Sequence, residues 1–150
     1  MNRCMICAQE VAQDEMYHDK CLETLFDSKK APILEASLNE LNELAKKSVT
    51  NRVTVPGVQS KLSLEINHKT KEADKLTIVG LWGRYILKPP SSTWDELPEN
   101  EHCTMLMAQA AGIETVPFGL IHLSSGEKAY ITKRIDRDAK GNKIAMEDMC

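Results

Sequence analysis

The sequence predicts an α+β fold, in which an antiparallel sheet carries one packed helix and follows a small zinc-bound segment and a linker helix. Cysteine and histidine residues cluster near the N-terminus, an amphipathic stretch follows, and the remainder alternates between strand-like runs and turns around one helical stretch. The 150 residues suffice for one domain with a small appendage. We therefore place the zinc segment at 1–26, the linker helix at 27–48 and the sheet with its helix at 49–150.

Charge and hydropathy exclude several classes of protein. The net charge is −3, with 19 basic and 22 acidic residues, which argues against a general nucleic-acid coat. No apolar run approaches the about 18 residues of a membrane span, and the first residues lack the apolar stretch of a signal peptide. We therefore expect a cytoplasmic protein without a membrane segment, where paired cysteines bind metal more often than they form disulfides.

Four residues with metal-binding side chains form two pairs near the N-terminus. Two residues separate Cys4 from Cys7, and two separate His18 from Cys21. This spacing is typical of a tetrahedral Zn²⁺ site, and four protein ligands leave no position for water, so we expect a structural metal. A chance cluster is the alternative, which the presence of two pairs disfavours. Because the neighbouring charges are mostly acidic, direct nucleic-acid binding by this segment is the weaker hypothesis.

Two helices are predicted after the metal ligands. The first covers 21–26 and leaves the metal segment. The second begins at Ser37, which is a typical N-cap residue and forms a capping box with Glu40. Its apolar residues recur at helical spacing and predict a face packed on the core, formed by Leu38, Leu41, Leu44 and Ala45.

Two strand-like runs flank a turn that contains one glycine. Val53 and Val55 alternate with polar residues before the turn, and 62–66 alternates after it. Gly57 allows backbone amides to approach a ligand closely and Lys61 adds one cation, a combination that can bind phosphate. An ordinary hairpin turn explains the same residues, so both interpretations remain open.

Two further strands are predicted at 76–79 and 85–88, and the dipeptide at 89–90, Pro-Pro, ends the second. Lys88 therefore stands at the end of an apolar strand. A lysine there either protects a sheet edge from pairing with another chain or is held on a rigid strand to contact phosphate.

A helix is predicted to begin at Pro98 and to end before Gly112, followed by a hairpin within 116–132. Glu101 lies near the start of this helix, where it either interacts with the helix dipole or pairs with Lys88 and orients it. The spacing predicts a packed face formed by Cys103, Leu106, Met107 and Ala110.

Several segments occur together in an order and spacing that match one known family. They are VTVPGVQSKLSL, YILKPP, LPENEHCTMLMAQAAGI, VP, AYITKRIDR and MEDMC. On these segments the stretch 53–150 resembles the HipA-like serine/threonine kinases, the toxin component of some bacterial toxin–antitoxin modules. The zinc segment and the linker helix lie outside the resemblance.

The resemblance implies a set of nucleotide-binding residues. The turn that covers the ATP phosphates in that family corresponds to Pro56, Gly57, Val58, Gln59, Ser60 and Lys61. The strand lysine that contacts phosphate corresponds to Lys88, and the helix glutamate of the N-E motif to Glu101. The hinge near the adenine end corresponds to Lys133, Arg134 and Ile135, of which the first and last depart from the family's usual E-R-F.

The resemblance also implies a phosphorylation site. Thr54 precedes the phosphate turn, where relatives can carry a self-phosphorylated serine. A phosphate adds about −1.5 to −2 charges, which would repel ATP phosphates from the turn. An ordinary strand threonine is the alternative.

The catalytic Asp and the Mg²⁺ ligands of the family lie in a helical C-terminal lobe, and the aspartates in the last 15 residues here belong to other motifs. We therefore assign no catalytic residue, expect the N-terminal lobe of a kinase that is inactive alone, and expect ATP with Mg²⁺ only in the complete kinase. Implied partners are ATP, a C-terminal kinase lobe or an antitoxin. The alternative is a stand-alone zinc-containing module that binds and regulates a kinase or an antitoxin partner.

Overall fold

The structure, a computed structural model, describes residues 2–50, 60–67, 74–80, 82–138 and 142–145. Its elements in chain order are β1 (Asn2–Arg3), β2 (Glu10–Val11), α1 (Asp19–Phe26), α2 (Leu38–Thr50), β3 (Leu62–Asn67), β4 (Lys75–Val79), β5 (Tyr85–Lys88), α3 (Leu97–Ala110), β6 (Phe118–His122) and β7 (Lys128–Lys133). The predicted α+β class is confirmed. The strand expected at Val53 and Val55 lies outside the described residues.

The main sheet has five strands in the order β4-β3-β5-β7-β6, and every neighbouring pair is antiparallel. β6 and β7 form the predicted hairpin, and β5 lies at the centre of the sheet between β3 and β7. None of the helices in the described part of the chain is long and apolar enough to cross a membrane.

The two faces of the sheet bury different groups, because successive strand residues point to opposite sides. On one face, here called the apolar face, strand residues pack with α1 and α2; they are Leu62, Leu64, Ile66, Tyr85, Leu87, Ala129 and Ile131. The opposite face, here called the α3 face, buries Phe118, Leu120 and Tyr130 against Met105 and Leu106 of α3. Each fully buried aliphatic or aromatic side chain stabilises the fold by about 1.5–3 kcal/mol.

The N-terminal segment, residues 2–26, covers the outer edge of β6. The backbone N–H of Leu120 donates to the carbonyl of Met5 at 2.8 Å, and the Tyr17 hydroxyl donates to the carbonyl of Leu120 at 3.1 Å. Gly119 permits this approach, since a Cβ there would lie 2.7 Å from Cγ1 of Ile6. The edge of the sheet is thereby paired and protected from other chains.

α2 begins with the predicted capping box. The backbone N–H and the hydroxyl of Ser37 both donate to Oε2 of Glu40 at 2.8 Å. Hydrogen bonds from Ser37 lower the pKa of Glu40. The predicted core face is confirmed in part, because Leu41 is fully buried while Leu44 is exposed.

The predicted packed face of α3 is wrong. Cys103, Met107 and Ala110 are exposed, and only Leu106 of that set is partly buried. The buried residues of the helix are Pro98 and His102. The apolar pattern pointed to the wrong side because the helix buries a histidine, whose ring nitrogen has a partner in the N-terminal segment.

Candidate functional site

Four possible metal ligands converge in the N-terminal segment. One ligand atom each from Cys4, Cys7, His18 and Cys21 lies within 4.8 Å of all the others. The Sγ atoms of Cys7 and Cys21 lie 3.4 and 3.9 Å from Nδ1 of His18. Tetrahedral Zn²⁺, with bonds of about 2.3 Å to sulfur and 2.0–2.1 Å to nitrogen, separates its ligand atoms by about 3.5–3.8 Å. The cluster therefore fits a four-coordinate metal ion.

Local backbone geometry brings the ligands together. The N–H of Cys4 donates to the carbonyl of Gln9, and the N–H of Ala8 donates to the carbonyl of Cys4, at 2.8 and 2.9 Å. Ala8 adopts a left-handed conformation with φ 58°, which closes the turn. His18 is the N-cap residue of α1 but makes no capping hydrogen bond with its side chain. The imidazole is instead directed at the cysteines.

The hydrogen bonds of His18 select the nitrogen that can bind a metal. Its Nε2 lies 3.0 Å from the carbonyl oxygen of Glu10. Because a carbonyl only accepts, Nε2 carries the proton, and Nδ1 is left with its lone pair facing the cysteines. A backbone carbonyl is a usual partner for the second nitrogen of a metal-binding histidine. The same contact with Glu10 raises the pKa of His18.

Two thiols of the cluster, those of Cys4 and Cys21, differ in pKa. Burial alone would raise the pKa of Cys4, but backbone hydrogen bonds at Cys7, His18 and Ile6 together lower it to about 7. Burial and the neighbouring cysteines raise the pKa of Cys21 to about 12. Crowded thiolates repel one another, so a bound divalent cation would supply the charge that lets them ionise together.

A second candidate site lies at the end of β5, on the α3 face. Lys88 and Glu101 form the ion pair that the sequence analysis considered, and the Lys88 Nζ lies 5.5 Å above the ring centroid of Tyr130. Tyr130 is the direct cross-strand partner of Lys88. Burial and the nearby Glu101 carboxylate raise the pKa of Tyr130. The lysine ammonium is thus held between a carboxylate and an aromatic ring.

Glu101 is not the acidic residue of the first turn of α3. That position belongs to Glu99, whose carboxylate lies 3.7 Å from Lys128. The structure therefore favours the ion-pair role of Glu101 over the helix-dipole role. The side chains of Lys88 and Glu101 keep 21% and 25% of their surface exposed, so a ligand can reach them.

A small polar cavity lies beside the loop that follows Lys88. It has a volume of about 200 Å³ and is lined by Ser60, Pro89, Pro90, Ser91, Ser92, Thr93 and Asn42. Ser60 belongs to the predicted phosphate turn, so the described end of that turn approaches the loop after β5. The next residue, Lys61, is exposed. Pro56, Gly57, Val58, Gln59 and the candidate phosphosite Thr54 lie outside the described residues.

The charged side chains of the predicted hinge are directed at other parts of the chain. The Nζ of Lys133 donates to both carboxylate oxygens of Asp27, at 2.8 and 2.7 Å. The guanidinium of Arg134 binds Asp136 through Nε and Nη2, at 2.7 and 2.6 Å. Ile135 is 60% exposed. Lys133 and Arg134 are thus paired with aspartates and not with Glu101.

Sequence reasoning missed two residues at these sites. Tyr130 follows from the pairing of β5 with β7, which the sequence alone does not specify. His102 is buried on α3, and its Nε2 donates to the carbonyl of Ile6 at 2.8 Å. A polar residue four positions after the helix-opening Pro98 was the available signal, because residues four apart share one helix face.

Most of the chain matches a known protein family. The model of the HipA-like C-terminal domain matches residues 53–150. A protein of Haemophilus influenzae named "Putative kinase" is 29% identical over 99% of this chain and 44% of its own length. "Putative kinase Y4dM" of Sinorhizobium fredii is 31% identical over 60% of this chain and 25% of its own length.

The chain therefore spans less than half of the length of these curated relatives. The metal cluster precedes the matched region, whereas Lys88 and Glu101 lie inside it. The family match covers more than half of the 150 residues, and the chain accordingly belongs to the HipA-like C-terminal domain family.

Proposed function

We propose that this chain is the ATP-phosphate-binding part of a HipA-like serine/threonine protein kinase and that its Cys/His cluster holds a structural Zn²⁺. The observation that carries the kinase proposal is the Lys88–Glu101 pair, fixed over Tyr130 within the region that matches the family. The two relatives named as kinases support the same assignment.

The residues at the end of β5 suit the binding of a polyphosphate. Lys88 would donate hydrogen bonds to phosphate oxygens, while the Glu101 carboxylate fixes the direction of the ammonium. Hydroxyl groups of Ser60 and of the loop 91–93 line the polar cavity next to the loop that follows Lys88, and they offer further donors. ATP with Mg²⁺ supplies the phosphoryl group, and the residues of this chain contribute positioning and positive charge.

The proposal assigns no general base and no Mg²⁺ ligand to these residues. It therefore expects the 150-residue chain to bind ATP but not to transfer its phosphoryl group. Transfer requires a catalytic lobe with a base near the substrate hydroxyl. A role in a toxin–antitoxin module, with an antitoxin as partner, is the biological part of the same proposal.

The zinc part of the proposal depends on the donor set. Three sulfurs and one imidazole nitrogen form a closed tetrahedral set that is typical of structural zinc. The cluster would hold together a segment whose two strands have only two residues each. The metal would thereby stabilise the N-terminal segment in its position along the outer edge of β6.

An NMR titration of the ¹⁵N-labelled chain with Mg-ATP tests the kinase proposal, because it detects millimolar binding and locates it. Amide signals at Lys88, Tyr130 and Glu101 should shift in a saturable manner. Lys88→Met should weaken binding by about tenfold or more, which corresponds to loss of a charge-assisted hydrogen bond of about 1.5–3 kcal/mol.

Lys75→Met is the matched control, since Lys75 lies on β4 and pairs with Glu35 at 2.7 Å. It should leave ATP binding unchanged. Equal loss in both variants, or shifts confined to other surfaces, would replace the proposal with the stand-alone zinc-containing binding module.

A further inference from the structure

We propose that His102 is a positioning residue that couples metal binding in the Cys/His cluster to the placement of Glu101 beside Lys88. The proposal rests on the nucleotide-binding role proposed above for the Lys88–Glu101 pair. It adds a connection between the metal segment, which lies outside the family match, and the ion pair inside that match.

The first link joins α3 to the turn between Cys4 and Cys7, here called the metal turn. Ile6 lies between the ligands Cys4 and Cys7, and its carbonyl accepts the hydrogen bond from Nε2 of His102 at 2.8 Å. A metal ion bound to both cysteines restricts the backbone between them. The direction of the Ile6 carbonyl, and with it the position of its donor, therefore depends on metal occupancy.

The second link joins His102 to its neighbour Glu101 on the same helix. His102 is 7% exposed, and its ring packs edge-on against Phe118 with ring centroids 5.6 Å apart. A buried ring with a fixed partner holds the helix at this point. Because a helix moves as a rigid element, a shift of α3 at His102 changes the distance between Glu101 and Lys88 on β5.

A separate contact ties the metal segment to the apolar face of the sheet. α1 carries the ligand Cys21 near its start and ends beside Asp27, whose carboxylate binds Lys133 of β7. The Asp27 side chain is 60% exposed, so this contact contributes little to the stability of the fold. Buried side chains of α1 hold this helix on the sheet, and the hydrogen bond between Met5 and Leu120 holds the metal turn to β6. The hydrogen bond of His102 joins the same turn to α3.

Two substitutions of His102 separate positioning from simple packing. Glutamine retains an N–H that can donate to the Ile6 carbonyl, whereas leucine fills a similar volume without a donor. His102→Leu therefore leaves that carbonyl without its partner. If the ring served only apolar packing, this loss would have no effect on α3. Both variants leave the four metal ligands in place.

Hydrogen–deuterium exchange of α3 measures the connection without nucleotide. In the zinc-loaded chain, amides of 97–110 should exchange about fivefold faster or more in His102→Leu than in the parent, and His102→Gln should resemble the parent. Removal of zinc from the parent should raise exchange of α3 similarly. Removal from His102→Leu should add less than removal from the parent, because the hydrogen bond that carries the link is already absent.

The ATP titration then tests the consequence for binding. In zinc-loaded His102→Leu, ATP affinity should fall about fivefold or more, and His102→Gln should restore it. Equal exchange of α3 in the parent and both zinc-loaded variants would overturn the proposal. So would an equal effect of zinc removal in the parent and in His102→Leu, since the route would then bypass His102. If α3 responds as expected but no zinc-loaded protein binds ATP, the link stands and the proposed kinase function fails.

Discussion

The metal cluster and the Lys88–Glu101 pair gather their groups in different ways. The four ligands come from one short segment, brought together by a tight turn and the start of α1. The ion pair joins a strand and a helix, and the ring beneath it comes from another strand through cross-strand register. We infer that the local cluster serves mainly folding and the assembled pair mainly binding.

The largest effect is expected from loss of a metal ligand. Cys7→Ser should reduce zinc from about one ion per chain to nearly none, because a structural site needs all four ligands. Structural zinc contributes about 10–16 kcal/mol to the folding of isolated zinc-finger peptides, so unfolding of the N-terminal segment should be evident by circular dichroism and hydrogen exchange. Elemental analysis gives the metal content directly.

Cys103→Ser is the matched control for the metal ligands, since Cys103 is exposed on α3 and lies outside the cluster. It should retain zinc and the parent's melting temperature. Metal-free Cys7→Ser protein with an ordered N-terminal segment would show that folding does not need the metal cluster. It would contradict the inference that the cluster serves mainly folding.

Adjacent residues of β5 provide the next test. Leu87 is fully buried on the apolar face, and Leu87→Ala should lower the free energy of unfolding by about 2–5 kcal/mol. Lys88 points to the opposite face, and Lys88→Met should cost only about 0–1 kcal/mol because its ion pair is partly exposed. Denaturant titration compares the two. Equal destabilisation would make Lys88 a structural residue.

The capping box of α2 is expected to contribute little to stability, although it is encoded locally. Ser37→Ala should lower the free energy of unfolding by about 1 kcal/mol, the usual effect of losing an N-cap side chain. Denaturant titration at neutral pH measures it. A loss as large as that of Leu87→Ala would mean that α2 depends on its cap more than on its buried face.

The same box should make stability depend on pH. Hydrogen bonds from Ser37 lower the pKa of Glu40 below its ordinary 4.5, so the carboxylate stabilises the folded state above that pH. The contribution disappears as the pH falls through the folded pKa. The parent should therefore lose more stability than Glu40→Gln on acidification, in denaturant titrations at matched pH values. Parallel curves for the two proteins would remove the box as a source of pH dependence.

The features that were predictable from the sequence depend on neighbours close in the chain. The spacing of the metal ligands predicted their convergence, and Ser37 with Glu40 predicted the start of α2. The site under Lys88 was less predictable, because Tyr130 reaches it through the register of β5 with β7. The buried face of α3 was misjudged because His102 satisfies its polar nitrogen across 96 positions of sequence.

A double-mutant cycle tests most directly that the pair serves binding. ATP affinity and the free energy of unfolding are measured for the parent, Lys88→Met, Glu101→Gln and the double variant. Glu101→Gln should weaken ATP binding less than Lys88→Met, since an amide oxygen still accepts from the ammonium. It should have no further effect once Lys88 is gone, because it acts through that residue. Additive losses in ATP affinity, or a coupling that appears only in stability, would contradict the account.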